Sequence, residues 1–202
     1  MRKRILQIVA LLLVFCCALS FVVSCGKKES VYNRLEKALT KRNYTIECKS
    51  NGSSAIYKVD GNAVYCKIVN EQNTQEYIAY WDKKNQQNKI YERTSDDKGW
   101  MPTDARPDDL INQGLGCLVS FFLYPDMFVE TDGTYTYKFV GSTYTDQYTV
   151  AKDGSGLSYT MTRTYNGDSR NSPLYYSSST TTTTGRMYDI GKTEVKNDEI
   201  NR

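Results

Sequence analysis

The chain contains no histidine. That absence removes the imidazole base of Ser-His-Asp and Cys-His nucleophiles and every histidine-ligated metal site. Phosphate loops, dinucleotide fingerprints and the G-x-S-x-G elbow are missing too. Ser95-Asp96-Asp97-Lys98 fits S-x-x-K, but it lies in an expected loop rather than at a helix start. The carboxylate pairs Asp96/Asp97 and Asp108/Asp109 are adjacent in sequence, point apart and sit where solvated turns are expected. No catalytic residue, cofactor or metal site is expected from these residues, and the chain is read as a non-enzyme.

A strong excess of charge of one sign is also missing. Lys and Arg number 26 against 23 Asp and Glu. Three of the bases, Arg2, Lys3 and Arg4, stand in the first four residues, so the remainder is balanced. With no basic stripe, nucleic acid is not an expected partner.

One long hydrophobic run is present, at the start. Between Ile5 and Val23 only Gln7 and Ser20 are polar. A basic n-region followed by an apolar stretch is the pattern of a secretory signal, and its length also allows a membrane span. Val22-Val23-Ser24-Cys25 closes the run and resembles the bacterial lipobox. The resemblance implies cleavage before Cys25, acylation of its thiol, and a chain facing outward from a cell membrane. More than one acyl chain is needed for stable anchoring, since each buried methylene contributes about 0.8 kcal/mol. The alternative is an uncleaved signal anchor, which leaves the remainder outside as well. Residues 1–24 then form the signal, 25–29 the anchor and tether, 30–196 one α+β domain and 197–202 a tail. Gly26 is no strong cue for sorting between two membranes, so an outer-membrane location stays open.

Beyond Cys25 three cysteines remain, Cys48, Cys66 and Cys117. An odd number leaves at least one unpaired in a single chain. Cys48 and Cys66 fall two strands apart in a meander, about 9.5 Å, beyond disulfide reach. A bridge from either to Cys117 stays possible beside three buried free thiols.

Periodicity organises the domain. Val31, Leu35, Ala38 and Leu39 form one stripe of a helix from Ser30 to about Arg42. From Tyr44 the period becomes two. Tyr44, Ile46 and Cys48 share one face, and Val64, Cys66 and Ile68 another, with Asp60-Gly61 between as a hairpin signal. Five strands to about Thr94 read as an antiparallel meander. "EYIAYWD" places Tyr77, Ala79 and Trp81 on one face and Ile78 and Tyr80 on the other, which suits a central strand covered on both sides. Trp100-Met101 offers a short further strand.

"LGCLVSFFL", residues 115–123, is apolar almost all round but too short to span a bilayer. It reads as a buried helix, a lid or a strand, with Gly114 and Gly116 weakening a continuous helix. Alternation then returns. Tyr135, Tyr137 and Phe139 face one way, and later Leu157, Tyr159 and Met161 do so. Ser177 to Thr184 reads as an exposed edge strand or as disorder, and "RMYDIGKTEV" as the last strand.

Helix, meander, apolar helix and second meander, in that order, resemble the exported LolA-like and LppX-like half-barrel lipoprotein carriers over roughly residues 30–195. The resemblance is architectural and carries no functional residue across. The chain also lacks a clear final V-x-x-P. The expected fold is α+β: an N-terminal helix and a large curved antiparallel sheet, a half-barrel, with a central apolar helical segment on its concave face.

Seventeen tyrosines are the compositional oddity. Strand propensity explains many of them. They also suit an aromatic lining for a lipid-like ligand, with Tyr77, Ala79, Trp81, Leu118, Phe121, Phe122, Tyr135 and Tyr137 as candidate lining residues. The other reading is a cell-surface interaction or scaffold module with a solid core, holding protein or carbohydrate through exposed tyrosines; on either reading a monomer is expected.

Overall fold

Tyr44, Val59, Val64 and Ala79 stand opposite one another across four consecutive strands, and each is at most 3 % exposed. The same alternation runs through the whole sheet and decides which face carries the core. The computed structural model describes residues 29–82, 84–96, 99–165 and 179–195. The signal at 1–24, the lipid site at Cys25, the tail at 197–202 and Ser177 lie outside these residues, as does Asp97-Lys98 of the S-x-x-K match.

Helix α1 spans Val31–Lys41. Five strands follow: β1 Asn43–Ser50, β2 Ser53–Asp60, β3 Ala63–Val69, β4 Thr74–Asp82 and β5 Gln87–Thr94. The short β6 is Met101–Pro102. Two helices come next, α2 at Pro107–Leu115 and α3 at Cys117–Leu123, then a 3-10 turn at Pro125–Met127. The second half holds β7 Val129–Thr131, β8 Thr134–Val140, β9 Tyr144–Asp153, β10 Gly156–Tyr165 and β11 Thr180–Tyr188.

All eleven strands form one curved antiparallel sheet that does not close into a barrel. Its order is β6-β5-β4-β3-β2-β1-β11-β10-β9-β8-β7. Each meander is local, and the two are joined by the first and last strands, with Ile46 opposite Met187 and Cys48 opposite Gly185. The expected half-barrel is therefore present, with the apolar helices on its concave face.

Local chemistry explains the turns. Asn51-Gly52 and Asp132-Gly133 both carry positive φ at two successive residues, the geometry that two-residue hairpins demand. The apolar helix breaks at Gly116, whose φ is +51°. Gly114 matters for packing instead. A Cβ there would stand 2.5 Å from the Tyr57 ring, so only glycine lets α2 approach β2.

The core lies between the three helices and the concave face. Val31, Leu35 and Ala38 of α1 are buried. They join Leu115, Cys117, Leu118 and Phe121 from the other helices, and Ile46, Val150, Leu157 and Met187 from the sheet. Burying such side chains contributes about 1.5–3 kcal/mol each. The three cysteines of the domain are free thiols, so the bridge to Cys117 that spacing allowed is not formed.

Two sequence expectations are corrected. Thr180 to Thr184 are neither disordered nor at an edge: they belong to β11, paired on one side with β1 and on the other with β10. Threonine is β-branched and tolerates both a wet and a packed face. Thr180, Thr182 and Thr184 point to solvent, while Thr181 and Thr183 are half-buried. The last strand also ends earlier than "RMYDIGKTEV" suggested, because Asp189 has a positive φ and a turn follows. The true edges, β6 and β7, are only two and three residues long, which limits the bare backbone offered to other chains.

Candidate functional site

Aromatic rings line the concave face in two groups of contacts. Tyr32, in the first turn of α1, stacks on Phe122 with centroids 5.8 Å apart. Phe121 meets Phe128 and Tyr135, each at 5.0 Å. Phe128 meets Tyr137, which stacks on Tyr148 at 5.8 Å. Further along the strands Phe139 packs on Tyr144, and Tyr144 on Tyr165. Such pairs add about 0.5–1.5 kcal/mol beyond their area.

At the Phe121 end these rings are solid core. Beyond the end of α3 they open into a cleft of about 520 Å3, lined by Ser120, Tyr124, Met127, Phe128, Tyr137, Phe139, Tyr144, Asp146, Tyr148 and Arg163. The volume lies within the usual range for small-molecule sites. Helix α3 and the 3-10 turn supply one wall, and strands β8, β9 and β10 the other.

The cleft has one ionic fixture. Arg163 Nε and Nη2 donate to Asp146 Oδ1 and Oδ2 at 2.7 and 2.8 Å, the bidentate geometry that gives arginine–carboxylate pairs their strength. Tyr148 Oη donates to Asp146 Oδ2 at 2.9 Å, and the Arg163 guanidinium lies 4.4 Å above the Tyr144 ring. Asp146 is 2 % exposed, whereas a third of the Arg163 side chain reaches solvent. The hydrogen bonds from Arg163 hold the Asp146 carboxyl below the usual carboxylate range, against the opposing effect of burial. The Tyr148 hydroxyl is pushed up to about 12, chiefly by burial and then by its bond to Asp146. Both groups therefore keep their neutral-pH charge states over a wide range. Neither group changes charge near neutrality.

The eight candidate lining residues are spread over four environments. Ala79, Leu118 and Phe121 are fully buried in packed core. Tyr77, Phe122 and Tyr135 are half-buried against that core. Tyr137 alone among the eight lines the cleft. Trp81, expected on one face with Tyr77 and Ala79, is 43 % exposed, because it stands at the end of β4 opposite polar Asn88. Both-sided cover of β4 is real at one point, where Ile78 and Ala79 are each 1 % exposed.

Asp146 and Arg163 are not among those eight. Their signal lies in the same period of two. Continuing the inward set Leu157, Tyr159 and Met161 by two residues reaches Arg163, and Asp146 falls between Tyr144 and Tyr148. A charge in register with an apolar face needs a partner, and here the two oppose each other across β9 and β10.

The thiols are not part of a reactive site. Burial pushes Cys66 and Cys117 up to about 12 and raises Cys48 as well, so none is a ready nucleophile. Among the described residues no cluster of side chains is suited to hold a metal ion, and no helix is long and apolar enough to cross a membrane. No family model matches this chain, and no curated protein matches it.

Proposed function

We propose that this protein is a bacterial lipoprotein, anchored through Cys25 at the outer face of a cell membrane, that binds an apolar, lipid-like ligand without chemical conversion. The observation that carries the reading is the open aromatic cleft between α3 and strands β8 to β10. It is apolar on most of its wall, it holds one fixed ion pair, and it lies on the concave face of a half-barrel. The histidine-free composition and the raised thiols support binding over catalysis. The lipobox at Val22 to Cys25 supports the address.

Two experiments test it. Cys25→Ser should release the protein from the membrane fraction of cells; protein that stays fully membrane-bound means an uncleaved span instead. The domain made without residues 1–24 should take up a fluorescent fatty acid, and Tyr137→Ala with Phe139→Ser should weaken that uptake about tenfold or more. No uptake by the wild-type domain, together with no bound mass in native mass spectrometry, rejects the ligand.

The competing reading is a surface interaction module. One observation favours it: the space between the helices and the concave face is filled by packed side chains as far as Phe128. It predicts binding of a protein or a glycan on the outer face, where Tyr80 and Tyr91 stack with centroids 6.2 Å apart.

A further inference from the structure

Exposed apolar side chains gather around the mouth of the cleft. Tyr124, Met127 and Phe139 line it and yet are 59 %, 50 % and 42 % exposed. Leu123, the chain neighbour of Tyr124, is 58 % exposed and stands outside the cleft lining. Solvent-exposed large residues scattered singly need no explanation, but a contiguous group around a pocket marks an interaction surface.

What covers this rim is indicated by the path of the chain. Helix α1 begins at Val31, and Tyr32 in its first turn stacks on Phe122, one residue before Leu123. The chain thus enters the domain beside the rim. Cys25 lies six residues upstream of Val31, a span of at most about 20 Å when fully extended. An acyl group on Cys25 would therefore hold the membrane surface within that distance of the α1–α3 contact. The nearby charges, Asp126, Glu130 and Lys138, are mixed in sign and give no attraction to an anionic surface.

From these placements we infer that the rim formed by Leu123, Tyr124, Met127 and Phe139 is a membrane-docking face, seated in the interface of the bilayer that carries the anchor. The cleft mouth then opens toward lipid, and ligand passes between bilayer and cleft without crossing water. Contact rests on apolar area, which is short-ranged and insensitive to salt. On the anchored chain the tether adds a high local concentration to that contact. The inference rests on the anchor reading above for the bilayer as occupant and on the cleft reading for what is exchanged.

The test uses the domain from Glu29 onward, since residues from Val31 form a compact unit of their own. Flotation with phosphatidylcholine vesicles at millimolar lipid should recover the domain. Added phosphatidylserine or high salt should change this little. Leu123→Asp should reduce recovery about tenfold or more, while Val69→Asp, at an exposed site on β3, should not. Fatty-acid uptake in vesicle-free buffer should survive Leu123→Asp, because Leu123 does not line the cleft. A wild-type domain that takes up fatty acid but does not float overturns docking and leaves the cleft reading standing. One that floats but takes up nothing supports docking and rejects the cleft reading. Equal flotation of the rim variant and wild type overturns docking, as does a rim that instead forms concentration-dependent dimers and stays off vesicles.

Discussion

Tyr159 on β10 reaches across the interior and donates its hydroxyl proton to the carbonyl oxygen of Gly114 on α2. The bond is buried, and the ring fills the space left by the missing side chain of Gly185. One tyrosine thereby fixes the spacing between the helical layer and the sheet. Tyr159→Phe should cost about 1–2 kcal/mol, since it leaves a buried carbonyl unpaired. Gly185→Ala should cost about 1–3 kcal/mol, because its Cβ would overlap the Tyr159 ring. Urea unfolding of both variants measures these costs. A Tyr159→Phe midpoint equal to wild type would show that the hydroxyl is dispensable.

Alkaline pH should destabilise the domain. Burial pushes Tyr44, Cys66 and Cys117 up to about 12 and raises Tyr57 and Tyr159 as well. In the unfolded chain the thiols ionise near 9 and the phenols near 10. The folded state therefore holds more protons than the unfolded state once pH passes about 9. The stability these groups contribute is fully present below that pH and declines as pH climbs toward 12. Urea midpoints at about pH 8 and about pH 10.5 should show the decline. Tyrosinate absorbance from the buried rings should appear together with unfolding.

The ion pair in the cleft should behave asymmetrically. Arg163→Ala leaves the buried Asp146 carboxylate with Tyr148 as its remaining side-chain partner and should cost about 2–3 kcal/mol, somewhat less than a fully buried pair because Arg163 is partly solvated. Asp146 is held below its ordinary range, so it contributes stability above the unfolded carboxylate value that is lost as pH falls through the folded one. Asp146→Asn should flatten that acid limb. Replacing both residues together, Arg163→Met with Asp146→Leu, should recover much of the loss in urea unfolding.

Thiol reactivity gives a direct check on the core. A disulfide reagent at about pH 8 should leave Cys66 and Cys117 unmodified in the folded domain and label half-buried Cys48 slowly. All three should react in denaturant. Rapid labelling of Cys117 would mean that α3 lifts from the sheet.

The strands are legible in the sequence because their period of two is backed by turn chemistry, as at Asn51-Gly52 and Asp60-Gly61. The break of the apolar helix is foreshadowed by Gly116. The threonine run misleads because threonine marks strands without saying whether they are central. Its place depends on β1, more than a hundred residues away in sequence, which no local pattern encodes. An apolar, inward-facing pattern finds the packed core at Leu118 and Phe121 and meets the cleft only at Tyr137. The distinguishing feature of the cleft is a charge on the apolar face, and Arg163 and Asp146 carry that mark.

The seam between β1 and β11 also bears on how the domain comes into being. Until residues 180–188 have been made, β1 has a bare edge and Met187 is missing from the core. The two meanders can form early, but the sheet that unites them is completed last. Its closing contacts span almost the whole domain, and such non-local closure is slow. A chain that lacks residues 180–188 would thus hold two separate meanders over an unfinished core.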